Sequence, residues 1–504
     1  MAKFVEVREM GESYGVGTFA MKSFCAGDVV LEEMPLVFAQ SLASQRGPAG
    51  VRCCRGCGMI LATLAVECER LARLAHAAVQ ERHCVEAERA VGATKNLLKV
   101  TGDTSHGGCN EGEVAEIICS PYALQETLKE FAASDFFCRG VLIDDDDDDE
   151  GGDSDDDKAE ESSERRAPRG ARFCSQLCKH RYLHEMGGRF LSAASTAVLQ
   201  AAVAPAANTT LPPHSLQKPS ANTIMCLAAA LDAAAVEAAW PSKAHVLATL
   251  EYLADSFNER LCLILSLLAR CLNDTLQDAS ISAEQLQSRF AARVQDFVMR
   301  FAEGAARPLT EQQRAFLRFS WKCVSRWLDL CCLEATGVAG APAPFQWLPL
   351  QLYLRCFWLT DANVHMFVVL SPLYSLLCQQ LPTLQAICRR GGDAGEPSLM
   401  RLGRQMGALR ELFCVVEPAS AHATGVALYD AATKLNHSCV PSARFVPTHG
   451  RVRAVVVALR DIERGEEIRS SYVDLSVHTS GAERRAYLLS YYGFSCDCPR
   501  CRHT

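Results

Sequence analysis

Lys434-Leu-Asn-His-Ser-Cys-Val-Pro441, answered 55 residues further on by Cys496-Asp-Cys498-Pro-Arg-Cys501, decides how this chain is read. Cys439, Cys496, Cys498 and Cys501 offer four thiolates, enough for one closed tetrahedral zinc site whose ligands come from two distant segments. Such a site would clamp the end of the sequence over Asn436 and His437. Four sulfurs leave no open position for water, so a zinc-dependent hydrolase is poorly supported.

Working outward, Ala443-Arg-Phe-Val446 and Val452-Arg-Ala-Val-Val-Val-Ala-Leu459 flank Thr448-His-Gly450, a hairpin signal. Arg464-Gly-Glu-Glu-Ile-Arg-Ser-Ser-Tyr472 follows, and Glu483-Arg-Arg-x-x-Leu488 with Tyr491-Tyr-Gly-Phe-Ser-Cys496 leads into the terminal cysteines. Near the start, Val29-Val-Leu-Glu-Glu-Met-Pro35 is an apolar run ended by proline, as suits a short strand. Just before it stands Tyr14-Gly-Val-Gly-Thr-Phe-Ala20; a lone Gly-x-Gly is weak evidence and by itself reads as a turn.

Four blocks in this order are more specific than any one of them. Gly15-x-Gly17, Asn436-His-Ser-Cys-x-Pro441, Gly465-Glu-Glu-Ile-x-x-x-Tyr472 and the closing Cys-x-Cys-x-x-Cys resemble a SET domain with its post-SET zinc cap. The resemblance is nearest to the SMYD family of SET-and-MYND lysine methyltransferases, to its fifth branch and to related fungal enzymes without the C-terminal helical-repeat domain. It implies an α+β fold with a β-rich core and a pseudoknot, and S-adenosylmethionine-dependent protein-lysine N-methylation. By the same resemblance Gly15, Val16 and Gly17 pass against the methionine part of the cofactor. Asn436 binds its amino-acid end by the side-chain amide, His437 binds largely through backbone, and Phe494 packs on adenine. Tyr472 is the candidate catalytic residue beside the methyl group, and Tyr429 or Tyr491 lines the lysine channel. Two departures fall near this pocket: Ser442 replaces the usual asparagine after the proline, and Gly425-Val-Ala-Leu428 keeps one of two usual glycines.

The reaction needs little covalent help, because a methyl group passes from a sulfonium to a neutral amine by in-line displacement; alignment and exclusion of water are the main tasks. Tyrosine near pKa 10 is a poor base at pH 7, whereas the lysine must lose a proton, so activity is expected to rise toward alkaline pH.

Cys54-x-x-Cys57 and Cys174-x-x-x-Cys178 have zinc-ligand spacing, and Phe173-Cys-Ser-Gln-Leu-Cys-Lys-His-Arg-Tyr-Leu-His184 resembles part of a MYND finger. Ligand interleaving in that family puts Cys54, Cys57, Cys174 and Cys178 on one metal. A second site lacks an obvious set, since no cysteine follows His184 closely, although Cys53, Cys84, Cys109, Cys119 and Cys138 remain possible substitutes. Two readings stay open for this degenerate finger: packing against the core, or holding a partner.

Residues 191–415 read mainly as helix. Ala193 to Ala207 and Ala228 to Trp240 are alanine-rich, and Leu250, Leu253, Phe257, Leu261, Ile264 and Leu268 recur as one apolar helix face requires, as do Leu286, Phe290, Val294, Phe297 and Phe301. Ser282 with Gln285 and Thr310 with Gln313 read as capping boxes. The expected division is 1–50 and 416–475 as the two halves of the SET core, 51–190 as the finger with an acidic insertion disordered over about 144–165, 191–415 as the helical insertion, and 476–504 as the cap.

The 504 residues carry a net charge of −8 concentrated in Asp144 to Asp149 and their neighbours, leaving a near-neutral remainder and no broad basic surface for sequence-specific nucleic-acid reading. The acidic run reads as solvated chain or as a mooring for a basic partner. Twenty-five cysteines and the lack of a signal-like start fit a reducing compartment, nuclear or cytoplasmic, and no uncharged apolar run spans a bilayer. The expected partner is a basic protein substrate, a histone tail or a ribosomal or translation protein, and the expected state is a monomer. The competing function is a non-catalytic SET and zinc-finger scaffold.

Overall fold

The computed structural model describes residues 4–11, 15–46, 50–62, 66–67, 70, 173–191, 240–278, 283–302, 309–336, 347–376 and 422–502. The acidic run, the two alanine-rich stretches up to residue 239, Ser282, Tyr14 and Cys84, Cys109, Cys119 and Cys138 lie outside the described residues.

Strands from the two ends of the chain share sheets. β1 (Val5–Glu9) and β2 (Val16–Ala20) form an antiparallel hairpin, Val5 opposite Ala20. β3 (Val29–Glu33) pairs antiparallel with β9 (Ala454–Ala458), and β9 with β8 (Ala443–Phe445), giving the order β3-β9-β8. The expected hairpin is thus present, with Ala443 opposite Ala458. A third sheet has the order β4-β6-β5, from Val37–Gln40, Ala423–Leu428 and His365–Val369. Gly425 sits at its centre: an added Cβ would come within 2.2 Å of the Ala39 carbonyl oxygen and 2.6 Å of the Phe367 ring. The one glycine retained before the motif is therefore required by strand packing. Two-residue strands β7 (Asn436–His437) and β10 (Arg469–Ser470) pair in parallel.

The short helix α1 (Leu42–Arg46) follows β4, and α2 (Gln176–His184) carries the second half of the finger. The helical body comprises α3 (Lys243–Ser256), α4 (Arg260–Leu276), α5 (Ala283–Val298), α6 (Glu311–Thr336) and α7 (Leu350–Asn363). The single face expected through Leu250 and Leu268 is broken between α3 and α4. Asn258 accepts the Arg260 N–H through its side-chain oxygen at 3.0 Å, a local bond that competes with continued helix. The residues of that stripe other than Phe257 are nevertheless buried, as are Leu286, Phe290, Val294, Phe297 and Phe301. The Thr310–Gln313 capping box is formed in both directions, at 2.9 and 3.2 Å. Leucines 261, 263, 267, 268 and 272 of α4 are almost wholly covered, each contributing about 1.5–3 kcal/mol. They pack with Val37 and Leu428 of the β4-β6-β5 sheet, and Arg270 donates to the Leu36 carbonyl at 2.5 Å. The body thereby braces the sheet from which the site segment emerges. No helix among the described residues is long and apolar enough to cross a membrane.

Candidate active site and metal clusters

After β6 the chain passes through a 3-10 turn, Ala432–Lys434, into β7. Glu33 at the end of β3 fixes that turn: its carboxylate accepts the N–H groups of Asp430, Ala431 and Ala432 at 2.8–3.1 Å. Thr18, buried in β2, accepts the Ile468 N–H through its carbonyl and donates its hydroxyl to the Lys434 carbonyl at 3.0 Å. β2 is thus bonded to both segments that carry the candidate residues.

Asn436 Nδ2 donates to the Val16 carbonyl at 3.0 Å and to Glu467 Oε1 at 2.8 Å. Gly17 makes this approach possible, since an added Cβ would lie 3.1 Å from Glu467 Oε1 and 2.4 Å from Met10 Sδ. The thioether of Met10 fills that gap and stands 3.6 Å from Asn436 Nδ2. Gly17, Val16 and Asn436 are therefore brought together, and Gly15 turns the hairpin with φ of +63°. Glu467 also accepts from Arg469 Nε at 2.6 Å.

Ser442, where the motif usually has asparagine, is fully buried and accepts the Arg469 N–H at 2.9 Å, so the hydroxyl pins β10 to the start of β8. Beyond β10, Tyr472 is held at three points. Its N–H donates to His437 Nδ1 at 3.0 Å, its phenol donates to the Leu435 carbonyl at 2.8 Å, and its ring lies 4.8 Å from Tyr492 and 5.4 Å from His437. Burial, with Tyr492 and Glu467 nearby, pushes the phenol pKa above its ordinary value, so it stays protonated. Burial, with Arg484 and Arg469 adding to it, pushes His437 down to about 4. Phe494 meets the His437 ring at 6.0 Å and the Tyr472 ring edge-on at 6.3 Å. Tyr429 is buried against His365, and Tyr491 is exposed, stacked on Tyr487 at 4.4 Å.

Helix α8 (Gly481–Tyr492) carries the chain to the terminal cysteines. It opens with a capping box between Ser480 and Glu483 and closes on Gly493 in the left-handed conformation, with α9 (Pro499–Arg502) after it. This return brings Cys496, Cys498 and Cys501 to Cys439, all four buried, with their sulfurs within 4.8 Å of one another. Cys439 Sγ lies 3.5 Å from Cys501 Sγ and 3.9 Å from Cys496 Sγ. Sulfurs about 2.3 Å from a central zinc stand about 3.8 Å apart on a tetrahedron, so the set fits that ion.

Cys54, Cys57, Cys174 and Cys178 form a second such group, with Cys57 and Cys174 sulfurs 3.6 Å apart. Hydrogen bonds from Cys54 and Cys57 hold the Cys174 thiol below its ordinary value. The cluster is docked at both halves. The Cys57 carbonyl accepts from Val452 N at 2.8 Å, while Asn273 of α4 and Gln277 just beyond it donate to the His184 carbonyl at 2.8 and 2.6 Å.

Glu33, Thr18, Met10, Glu467, Arg484 and Tyr492 are the residues that sequence reasoning leaves without a role. All but Met10 stand inside stretches quoted above, yet Glu33, Thr18 and Met10 meet partners about 400 residues away, which no local pattern announces, while Arg484 and Tyr492 meet theirs through the fold of the terminal segment.

The SET domain family matches residues 15–473. Histone-lysine N-methyltransferase set5 of Schizosaccharomyces pombe is 41% identical over 69 residues, 14% of this chain and 21% of the relative. N-lysine methyltransferase SMYD2-B of Danio rerio is 40% identical over 86 residues, 17% of this chain and 19% of the relative. Histone-lysine N-methyltransferase SMYD3 of Homo sapiens is 42% identical over 86 residues, with the same shares. The chain thus spans about a fifth of the length of these relatives. The family match over most of the chain, together with sheets built from both its ends, shows that the chain belongs to the SET domain family.

Proposed function

We propose that this chain is an S-adenosylmethionine-dependent protein-lysine N-methyltransferase acting on a histone or another basic protein. One observation carries the reading: a side-chain amide held against a glycine-bearing strand lies in the same short segment as an imidazole packed under a tyrosine, beside a tetrathiolate cluster. A scaffold has no physical need for that combination.

S-adenosylmethionine, when bound, supplies a sulfonium methyl group. The residues present fit it: at Gly17 β2 presents no side chain, only the flexible Met10 thioether standing there, and Asn436 places amide hydrogens beside the Val16 carbonyl and Glu467. Asn436, Val16, Gly15 and Gly17 would hold the amino-acid end, His437 would contribute backbone, and Phe494 would cover the adenine. Tyr472, its ring wedged between His437 and Tyr492, is the proposed catalytic residue that orients the lysine nitrogen. Its protonated phenol cannot serve as a strong base, so the amine must arrive neutral, favoured by the apolar aromatic surroundings.

In this reading Cys439, Cys496, Cys498 and Cys501 bind zinc as a post-SET cap, and Cys54, Cys57, Cys174 and Cys178 bind it as a MYND-like finger whose docking favours packing over partner capture. Residues 1–50 and 416–475 form the SET core, with a pseudoknot at Asn436, while 191–415 is the insertion. The SMYD branch, a monomeric state and a nuclear or cytoplasmic place belong to the same proposal.

Calorimetry with S-adenosylmethionine tests it: saturable binding is expected for the chain and loss of that binding for Asn436→Ala. Transfer of labelled methyl to lysine in histones or ribosomal proteins should follow, and binding without transfer to any basic protein would return the chain to the scaffold class.

A further inference from the structure

His437 is 8% exposed, and both of its ring nitrogens are engaged. The Tyr472 N–H points at Nδ1 from 3.0 Å, and a backbone amide can only donate, so Nδ1 carries no hydrogen. The hydrogen therefore sits on Nε2, which lies 3.2 Å from Cys439 Sγ and donates to it.

Arg484, in the first turn of α8, is fully buried. Its guanidinium donates to the carbonyls of Thr479 and His478 and, through Nη2, to Cys501 Sγ at 3.7 Å. Its Nε has no hydrogen-bond partner. Among the described residues no carboxylate is paired with it, and a buried cation is costly unless an anion faces it. Four thiolates around a divalent ion would leave two net negative charges, and would supply the anion that this arginine otherwise lacks.

We propose that His437 and Arg484 are positioning residues of the tetrathiolate centre, each donating to one of its sulfurs, and that His437 ties the metal to the backbone of Tyr472. The inference rests on reading the four cysteines as a zinc site. The path is short: Cys439 Sγ, the imidazole, the Tyr472 amide. Loss of the metal leaves Nε2–H without its anion and frees the ring that orients Tyr472. The zinc centre thereby sets the geometry of the methyl-transfer residue as well as closing the chain end.

The experiment uses the full zinc-loaded chain and follows metal transfer to a chromophoric chelator, with the zinc at the Cys54 cluster as internal reference. His437→Phe, which keeps a ring, and Arg484→Met are each expected to release one zinc about 10- to 100-fold faster. The other zinc should leave at its original rate, and Arg484→Lys, which keeps the charge, should fall between. In the cobalt-substituted protein the sulfur-to-cobalt charge-transfer band should shift in His437→Phe, which a merely packing ring would not cause. If Arg484→Met does not fold, His437→Phe and Arg484→Lys carry the test. Zinc present but released at the original rate, with an unmoved cobalt band, overturns the inference alone; a Cys439 cluster that takes up no zinc overturns the site reading with it.

Discussion

Tyr472 donates its phenol hydrogen to the carbonyl of Leu435 at 2.8 Å, tying the proposed catalytic ring to the residue that immediately precedes Asn436. The amide and the phenol therefore cannot shift independently, and removal of the hydroxyl should be felt as lost alignment more than as lost fold. Tyr472→Phe is expected to lower single-turnover methyl transfer by about 100-fold, the scale of a small misplacement of reacting groups. Its stability should fall by only about 1 kcal/mol. Rate and melting temperature measured on the same preparation check this; equal transfer rates would remove Tyr472 from the proposed role.

Glu33 gathers three backbone N–H groups at the entrance to the site segment, as a cap does at a helix start. Glu33→Ala should cost about 1–2 kcal/mol. Because the freed turn leads directly into Asn436, affinity for S-adenosylmethionine should weaken alongside. A denaturation midpoint that drops while the calorimetric Kd stays constant would show that the cap serves stability only.

At Gly425 a methyl group would meet backbone on the neighbouring strand, whereas at Gly17 it would meet the movable end of Met10. Gly425→Ala should therefore destabilise by about 2–3 kcal/mol. Gly17→Ala should disturb stability less and cofactor binding more. Parallel thermal melts and calorimetry decide the matter, and the reverse ranking would contradict it.

His422 is buried and accepts the Ser371 N–H at Nδ1, and burial, with Arg70 adding to it, pushes its pKa down to about 4. The unfolded imidazole titrates near 6.5. Between these values the unfolded chain binds more protons, so the histidine's contribution is full above pH 6.5 and is lost as pH falls toward 4. The loss by pH 5 is about 2 kcal/mol. His422→Gln should flatten that part of the pH dependence of unfolding, and an unchanged slope between pH 7 and 5 would count against it.

The strands at 29–33, 443–445 and 454–458 are legible because their apolar runs end at turn residues, and the Cys54–Cys57, Cys174–Cys178 and Cys496–Cys501 groups are legible because ligand spacing is local, whereas the joining of distant groups into two clusters is implied only by the family resemblance. β5 is harder to see: His365 to Val369 is a short apolar run directly after a helix, and its strand state depends on pairing with β6. The break at Asn258 hides inside an apolar stripe that continues unbroken in sequence. β7 and β10, two residues each, are too short for any periodicity. Glu33 and Glu467 acquire their roles only when separate segments meet, and Arg484 only when the chain end turns back to it; a charged residue in an ordinary position gives no sign of that. Ser442 illustrates the reverse: it departs from the usual motif, yet its hydroxyl still holds Arg469.

β3 finds its partner β9 more than 400 residues downstream. At about 5–20 residues per second, the early strands wait roughly 20 to 80 seconds on the ribosome for the segment that completes their sheet. Their apolar faces are open throughout that interval, so yield in the cell should depend on holding chaperones, and a separately expressed carboxyl-terminal piece added in trans is the simplest way to shorten the wait.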